Sequence, residues 1–308
     1  MGESSAKLFS ACGKVILLGE HAVVHGENAL AASIGRSAEA SAAWADGESG
    51  ALHLSDGRDT WPVDVGSELD QAFRALLAAL AVDRPVSVHA HVRIPTRAGL
   101  GSSAAIGVAI ARAIAGLQER AADLSRDTLA ATAWERVFHG NPSGVDVAVA
   151  VHGGCLSFSR RDGATPVPIA SVLSLCLVQS GPRASTRAMV DAATAYLRAQ
   201  PDGGAAILSA VRDAVGAGTS AVERGDDTGL GNAMNANQRV LRQWQLSTPA
   251  IDTLCDAARM AGALGAKLTG AGGGGSVIAL APGRERNVLD AWRGLGFEGM
   301  VVEAGVAG

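Results

Sequence analysis

One glycine- and serine-rich stretch joins a candidate strand to a candidate helix: Pro95-Thr96-Arg97-Ala98-Gly99-Leu100-Gly101-Ser102-Ser103-Ala104-Ala105. Before it, residues 86–94 alternate apolar and polar side chains, which is typical of a half-buried strand. After it, residues 104–117 are apolar on nearly every face and rich in helix-forming residues. This pattern predicts a buried helix.

A strand that enters a helix through such a turn can form an anion site. Gly99 and Gly101 can adopt backbone angles that other residues avoid, so backbone N–H groups can point inward. The helix N-terminus adds a partial positive charge, and the hydroxyls of Ser102 and Ser103 can donate to phosphate or ligate a metal ion. The stretch is not a Walker loop, because no Lys-Ser or Lys-Thr pair follows the last glycine. The alternative is a plain glycine turn in which Ser102 or Ser103 caps a core helix.

The composition predicts a globular protein. The 308 residues are 48% hydrophobic and 18% charged, and their number suggests two domains or one large one. A net charge of −4 without a basic run argues against a nucleic-acid partner. No apolar stretch approaches the length that spans a bilayer, and the N-terminus lacks the apolar segment of a secretory signal. The cysteines lack zinc or disulfide spacing, so a cytoplasmic protein with reduced thiols is expected, with no membrane partner.

Charged side chains interrupt an apolar strand near the N-terminus. Residues 7–18 are strand-like and run into Gly19-Glu20-His21, with Lys14 set among valine, isoleucine and leucine. Burying such charges without partners is unfavourable. Three ionisable residues beside glycines indicate a functional site. The structural alternative is that Lys14 and Glu20 pair with each other at a strand end.

Two acidic residues flank a further candidate loop. Ser125 is predicted to cap a helix over residues 126–138, which places Glu135 in the last turn. There the helix dipole disfavours a carboxylate, and a bound cation would relieve the penalty; an exposed, paired glutamate is the alternative. Asp146 ends the loop His139-Gly140-Asn141-Pro142-Ser143-Gly144-Val145-Asp146, just before an apolar segment. Its carboxylate is either a helix cap or a site group with a partner.

The second half of the chain is predicted to form a separate domain, because the composition changes around residues 166–173. A strand is expected over residues 173–178 and helices over 186–199, 205–222, 229–242 and 249–263, with linkers at 200–204 and 223–227. The stretch Lys267-Leu268-Thr269-Gly270-Ala271-Gly272-Gly273-Gly274-Gly275-Ser276 then precedes a strand over 277–281. Consecutive glycines lose much conformational entropy on folding. A backbone that approaches a ligand closely explains them better than a flexible surface hairpin.

Together these motifs resemble the GHMP small-molecule kinase superfamily, and within it the mevalonate kinases. The resemblance to the mevalonate kinases lies in the first motif, Gly13-Lys14-Val15-Ile16-Leu17-Leu18-Gly19-Glu20-His21-Ala22-Val23-Val24-His25-Gly26. Galactokinases carry a Gly-Glu-His-Thr-Asp version instead. The glycine-serine stretch resembles the second motif, residues 267–276 resemble the third, and residues 139–146 also match. The resemblance covers essentially the whole chain.

The resemblance implies an α+β, two-domain GHMP-kinase fold with the active site in the cleft between the domains. Residues 1–168 would form the N-terminal domain, with a mixed sheet and the nucleotide loop, and residues 169–308 a C-terminal α/β domain. The implied reaction is phosphorylation of the primary hydroxyl of mevalonate by ATP with Mg²⁺, in isoprenoid biosynthesis. The alternatives are a GHMP kinase for another small hydroxy acid or polyol, and a non-catalytic sensor of this fold. A homodimer is also compatible with the resemblance.

The resemblance also implies roles for individual residues. Asp146 resembles the family's proposed catalytic base, and Lys14 the lysine beside it. Glu20 and His21 lie where the family contacts mevalonate. Ser103 and Glu135 resemble the Mg²⁺ ligands. The implied nucleotide-binding residues belong to the second and third motifs: Pro95, Arg97, Ala98, Gly99, Leu100, Gly101, Ser102, Ser103, Ala104, Gly272, Gly273 and Gly274.

Three positions depart from the family pattern without removing a catalytic group. Cys12 stands where proline is usual, Arg97 where a small residue is usual, and Val147 where asparagine is common after the base. Arg97 could contact an outer phosphate oxygen or remain an exposed, paired arginine. Lys14 would lower the pKa of Cys12 if the thiol faced the cleft, whereas a thiol facing the core would be inert.

Overall fold

The computed structural model describes residues 7–45, 47, 50–95, 98–182 and 184–306. The prediction for Arg97 therefore concerns a residue outside the described part of the chain. Within that part, no helix has the length and apolar character needed to cross a bilayer. The described cysteines are all free thiols, as their scattered spacing predicts.

Helices and strands are mixed along the chain. The strands are β1 (Phe9–Leu18), β2 (Ala29–Trp44), β3 (Ala51–Ser55), β4 (Thr60–Pro62), β5 (Val86–Val92), β6 (Cys155–Ser159), β7 (Gly163–Pro166), β8 (Leu173–Gln179), β9 (Gly265–Thr269), β10 (Ser276–Leu280) and β11 (Gly299–Ala304). The α-helices are α1 (Glu68–Ala79), α2 (Ser102–Leu117), α3 (Leu124–His139), α4 (Val145–His152), α5 (Thr186–Ala199), α6 (Pro201–Arg224), α7 (Asp227–Gln243), α8 (Pro249–Met260) and α9 (Glu285–Gly294). A short 3-10 helix, Ala22–His25, follows β1.

The strands form a mixed sheet in the order β4-β3-β5-β2-β11-β8-β10-β9. β1 and β6 also pair with β2, and β7 pairs with β6. β3 and β5 are parallel, and the other pairs between described strands are antiparallel. The strands up to residue 166 and those from residue 173 meet where Ala304 of β11 pairs with Ile34 of β2. The predicted division between residues 168 and 169 falls between β7 and β8 and stays a prediction.

The buried helix predicted after the glycine-serine stretch is α2, which packs against β1, β2 and α3. Ile110 and Ile114 on this helix are fully buried. Each such side chain stabilises the fold by roughly 1.5–3 kcal/mol. Gly107 lets α3 approach closely, because a Cβ atom there would lie 2.9 Å from Cδ1 of Trp134. This packing fixes the N-terminus of α2 beside β1.

Two predicted boundaries are wrong, for local reasons. Asp123 caps α3, and its Oδ1 atom accepts the backbone N–H groups of Ser125 and Arg126, so Ser125 lies inside the helix. The linker predicted at residues 200–204 is largely the first turn of α6, which begins at Pro201. Proline is well suited to the first helical position, since its missing N–H has no partner there in any case.

Candidate active site

The side chain of Lys14 lies where three of the motifs meet. Its Nζ atom donates to the carbonyl oxygen of Gly99 over 2.9 Å and lies 3.2 Å from Asp146 Oδ1. The backbone N–H of Lys14 donates to the carbonyl oxygen of Leu100 over 2.8 Å. Only 3% of the residue is exposed. One buried ammonium group therefore contacts both Asp146 and the glycine loop, which is the turn of the second motif around Gly99 and Gly101. Lys14 does not pair with Glu20, so the structural alternative for these two residues is wrong.

Two glycines allow this close approach. A Cβ atom at Gly101 would lie 2.9 Å from Cγ of Lys14, and one at Gly13 would lie 2.8 Å from the carbonyl oxygen of Leu100. Gly101 is also the N-cap of α2, with a left-handed φ of 70°, and makes no side-chain cap bond. Neither Ser102 nor Ser103 is the N-cap, so the plain capping interpretation of the stretch is wrong.

Asp146 lies in the first turn of α4, whose N-cap is Gly144. The cap interpretation of this carboxylate is therefore wrong as well. Its side chain is 36% exposed, and it forms the ion pair with Lys14. The helix N-terminus and the ammonium group both attract its negative charge. The result is a solvent-accessible carboxylate held against a buried cation.

Glu135 is buried near the same aspartate, one turn before the end of α3. Burial raises the pKa of this carboxyl to about 7, and the charge of Asp146 adds to the shift, while a hydrogen bond with Ser103 and the charge of Lys14 oppose it. Its Oε1 atom has no hydrogen-bond partner among the described residues. Its Oε2 atom lies 3.6 Å from Nε2 of His139, so Glu135 has a neighbouring partner as the alternative expected, but the residue is buried rather than exposed. A buried carboxylate with a vacant oxygen suits a divalent cation.

Glu20 faces the protein interior, where it pairs with Lys267. Neither side chain has any exposed surface, and Lys267 Nζ also donates to the carbonyl oxygen of Leu268 over 2.5 Å. Burial raises the pKa of Glu20 and lowers that of Lys267, and the attraction between the two groups opposes both shifts. Oε1 of this carboxylate contacts Lys267, whereas Oε2 is buried without a hydrogen-bond partner among the described residues, so the substrate contact of Glu20 stays a prediction.

His21 follows Glu20 with an unusual positive φ of 60°. Its Nε2 atom lies 2.7 Å from the carbonyl oxygen of Ala271, and its ring packs edge-on against Trp244. Burial lowers the pKa of His21 to about 4, so the ring is neutral at pH 7. The Nε2–H group therefore donates to Ala271, and Nδ1, which has no partner among the described residues, is left as an acceptor.

The second and third motifs enclose a small cavity between them. Ser276 Oγ of the third motif donates to the carbonyl oxygen of Ala98 over 2.6 Å, which ties the two motifs together. Among the residues that the structure describes, those lining the cavity all belong to these motifs: Ala98, Gly99, Thr269, Ala271, Gly272, Gly274, Gly275 and Ser276. Ser103 lies at the start of α2, where its Oγ atom accepts a hydrogen bond from Trp134 Nε1 over 3.1 Å.

Gly273 does not line that cavity, although it was predicted to bind nucleotide with its neighbours. Its N–H donates to the carbonyl oxygen of Leu246 over 2.9 Å, and its own carbonyl accepts from the N–H of Ala184 over 3.0 Å. Both of its polar backbone groups therefore have partners within the protein. Of the other predicted loop residues, Leu100 and Ala104 are buried and Pro95 and Ser102 half-buried.

Family models match both halves of the chain. The model described as "GHMP kinases N terminal domain" matches residues 68–154, and the one described as "GHMP kinases C terminal" matches residues 219–296. The mevalonate kinase of Aeropyrum pernix is 38% identical over 88% of this chain and 87% of its own length. That of Pyrococcus horikoshii is 33% identical over 92% and 91%. The chain belongs to the mevalonate kinase family of the GHMP kinases.

A crystal structure of a family member has the same fold. The structure of L. major mevalonate kinase in complex with R-mevalonate matches with a TM-score of 0.84 at 29% identity, over 94% of this chain and 92% of that one. The two-domain GHMP-kinase fold implied by the sequence is thereby confirmed. As a member of the mevalonate kinase family, the chain is a kinase, and kinases of the GHMP type use ATP.

Three residues of this mevalonate kinase family member hold the first motif against the C-terminal half, and sequence reasoning assigned no role to any of them. Besides Lys267, Asn237 accepts the N–H of Gly19 over 3.1 Å. Thr269 exchanges two hydrogen bonds of 3.1 Å with the backbone of Ile16. A usable signal existed for Lys267, which is a lysine between apolar neighbours, as Lys14 is. Asn237 lies on α7 with no comparable local pattern.

Cys12 is half-buried in β1. Burial raises the pKa of its thiol, and the charge of Arg112 only partly opposes the shift. A raised pKa keeps the thiol protonated at neutral pH, which is the unreactive form. This result favours the alternative in which the Cys12 thiol is inert.

Val147 is buried on α4 directly after Asp146.

Proposed function

We propose that this protein transfers the γ-phosphoryl group of ATP to the primary hydroxyl of mevalonate, giving 5-phosphomevalonate and ADP. The observation that carries the proposal is the position of Lys14, whose ammonium contacts Gly99 of the glycine loop and Asp146 at once. The names of the relatives support mevalonate as the acceptor. Synthesis of isoprenoid precursors in the cytoplasm follows as part of the same proposal, while a homodimer stays a prediction.

Asp146 is the base in this proposal. An alcohol is a weak nucleophile at pH 7, and a carboxylate within hydrogen-bond reach can accept its proton as it attacks. Asp146 is exposed enough to meet a substrate hydroxyl, and the Lys14 ammonium 3.2 Å away would stabilise the alkoxide that develops. The proton moves to a carboxylate oxygen of Asp146.

The nucleotide phosphates would lie between the second and third motifs. Phosphoryl transfer depends mainly on positioning and charge neutralisation. Backbone N–H groups near Gly99 and Gly101 and the N-terminus of α2 supply partial positive charge. Gly272 and Gly274 line the opposite wall of the cavity, so we propose them as contacts and assign Gly273 a supporting position. Residues 1–168 and 169–308 each supply one wall.

Mevalonate would meet His21, and Glu20 stays a second predicted contact. The neutral ring of His21 offers Nδ1 as an acceptor for a substrate hydroxyl, and its Nε2–H is anchored on Ala271. Glu20 precedes His21 and pairs with Lys267 of the third motif, which holds this segment against that motif. Substrate binding is therefore proposed for His21, and Glu20 also positions this segment through its pair with Lys267.

Ser103 and Glu135 would hold Mg²⁺. A buried carboxylate beside Asp146 is unfavourable on its own, and a divalent cation at its vacant oxygen would relieve that cost. Two protein oxygens leave room in an octahedral shell for phosphate oxygens and water. When bound, the ion neutralises negative charge on the nucleotide phosphates.

The Mg²⁺ concentration at half-maximal rate should fall as the pH rises through 7. The pKa of Glu135 is raised to about 7, so the carboxyl is largely protonated below that pH and ionised above it, and only the ionised form is a good ligand. Mg²⁺ titrations at several pH values would measure this. Glu135→Gln should need more Mg²⁺ and lose this pH dependence, whereas the exposed control Glu119→Gln should match wild type. Equal pH dependence in Glu135→Gln and wild type would contradict the assignment.

A coupled ADP-release assay with four acceptors tests the proposed function. Mevalonate, phosphomevalonate, homoserine and galactose would each be offered with ATP and Mg²⁺, and kcat/KM compared. Mevalonate should be preferred by at least about tenfold, a difference of roughly 1.4 kcal/mol between transition states. A higher kcat/KM for homoserine or galactose than for mevalonate would contradict mevalonate as the acceptor and would identify the protein as a GHMP kinase for another hydroxy compound. No ADP release with any acceptor would favour a ligand sensor.

A further inference from the structure

A second cavity of about 280 Å³ lies between α7 and α8. No described residue lines both this cavity and the one between the second and third motifs. The described side chains that line it are all polar, and they include three arginines: Asn235, Gln238, Arg239 and Arg242 from α7, and Arg259 from α8. The four α7 positions follow a helical spacing and share one face of that helix. The cavity therefore has polar walls that carry the positive charges of the three arginines.

Its positive charge is only partly balanced. Arg242 pairs with Asp252 over 3.1 Å, and Arg259 pairs with Asp256. Arg239 is exposed and has no hydrogen bond or ion pair with any described residue. Three guanidinium groups thus face two carboxylates around one cavity. A bound anion would pair with the positive charge that the two carboxylates leave unbalanced.

One wall of the cavity is held rigidly. Arg259 Nη1 donates to Asn235 Oδ1 over 3.3 Å and to the carbonyl oxygen of Ala266 over 3.2 Å. The Asn235 side chain also accepts from the N–H of Ala266 and donates to the carbonyl oxygen of Leu264. Side chains fixed in advance lose little conformational entropy when a ligand binds. The cavity thus combines anchored groups from α8 and α7 with Arg239, which has no partner among the described residues.

The buried side chain of Gln238 connects the cavity to the third motif. Its Oε1 atom accepts a hydrogen bond from the N–H of Leu268 in β9 over 2.9 Å, and β9 is followed directly by the glycines of the third motif. Its Nε2 atom donates to Ser247 Oγ over 3.0 Å, in the turn between α7 and α8. The same turn carries Leu246, which holds Gly273. A ligand that shifts Gln238 would therefore act on both sides of the third motif.

We propose that this cavity binds the phosphate group of a small polar molecule and that binding changes the affinity for ATP. Planar guanidinium groups match the oxygen geometry of phosphate and can donate two hydrogen bonds each to it. The volume exceeds that of the bare ion, so an organic group fits beside it. The polar walls favour a phosphorylated polar molecule over one with a long apolar chain. Binding itself does not depend on mevalonate being the acceptor.

Isothermal titration calorimetry of the full chain tests binding, with the active site filled by a non-hydrolysable ATP analogue and Mg²⁺. The probes are inorganic phosphate, pyrophosphate and glycerol 3-phosphate. The variants are Arg239→Gln/Arg242→Gln and the control Arg286→Gln, whose side chain is 93% exposed on α9. Wild type and the control should bind one equivalent, and the double variant should bind at least about tenfold more weakly.

Each outcome decides a part of the proposal. Tighter binding of glycerol 3-phosphate or pyrophosphate than of phosphate supports a larger phosphorylated ligand, and equal binding identifies the free ion as the ligand. No binding of any probe to wild type, or equal affinity in the double variant, overturns the site. The KM for ATP should change with the bound probe in wild type and not in the double variant. An unchanged KM in wild type would overturn the coupling to ATP, whatever acceptor the enzyme uses.

Discussion

Replacing Asp146 by asparagine should lower kcat by roughly 10²–10⁴-fold, the usual contribution of a general base. Asparagine keeps the shape of the side chain and cannot take up the proton of the attacking hydroxyl. It also leaves Lys14 with its hydrogen bond to Gly99, so the glycine loop should keep its geometry. ATP affinity is therefore expected to stay close to that of wild type. Steady-state kinetics and nucleotide titration measure the two quantities separately.

A matched control separates loss of the base from loss of a surface charge. Asp162 is also an aspartate paired with a cation, Arg161, but its side chain is more than half exposed and distant in sequence from the glycine loop. Asp162→Asn should retain wild-type kcat. If Asp146→Asn kept its kcat within about tenfold of wild type, the carboxylate would not be the base. If ATP affinity collapsed together with kcat, Asp146 would be holding the nucleotide loop in place.

Replacing Lys267 by methionine should destabilise the protein by about 3–5 kcal/mol, because it leaves the Glu20 carboxylate buried without a partner. The double variant Glu20→Gln/Lys267→Met removes both charges and should recover part of that loss. Urea unfolding gives the free energies, and Arg286→Met serves as an exposed control that should change little. A Lys267→Met protein as stable as the control would contradict the buried pair.

The single variant should also change how stability depends on pH. Burial raises the pKa of Glu20, and removing Lys267 removes the attraction that opposes this shift. A carboxyl with a pKa above its unfolded value binds more protons when folded, so the free energy of unfolding falls as the pH rises. Lys267→Met should therefore be more stable near pH 4 than near pH 7 relative to wild type. The double variant, which lacks both ionisable groups, should lose this difference.

Local sequence patterns predicted those parts of the site that are formed by residues adjacent in the sequence. The strand, the glycines and the helix are adjacent in the sequence around Gly99. Helix propensity and hydrophobic periodicity were therefore enough to place the loop and α2. The excess of charge around Lys14 and the carboxylate of Asp146 were visible in the same way. The contact between Lys14 and Asp146 could not be predicted in this way, because the two residues meet only through the packing of β1 against α4.

The contacts that the sequence could not predict involve long-range partners. Glu20 lies 247 positions from Lys267, and no local rule indicates that this pair is sealed in the interior. Gly273 was grouped with its neighbouring glycines because composition cannot tell which N–H groups the protein itself uses. The hydrogen bond to Leu246 depends on where α7 ends. At the start of α3, Asp123 and Ser125 both suit a cap, and the backbone path selects the aspartate.

The central claim is that Lys14, Asp146 and the glycine loop act together on the primary hydroxyl of mevalonate. Nuclear magnetic resonance of the product tests it directly, using mevalonate labelled with ¹³C at C5, together with ATP and Mg²⁺. Wild type should convert the label to a carbon signal split by phosphorus, with one ADP formed per product, and Asp146→Asn should form little of it. ADP formation without phosphorus coupling at C5, or the same coupled product at wild-type rate from Asp146→Asn, would contradict the account.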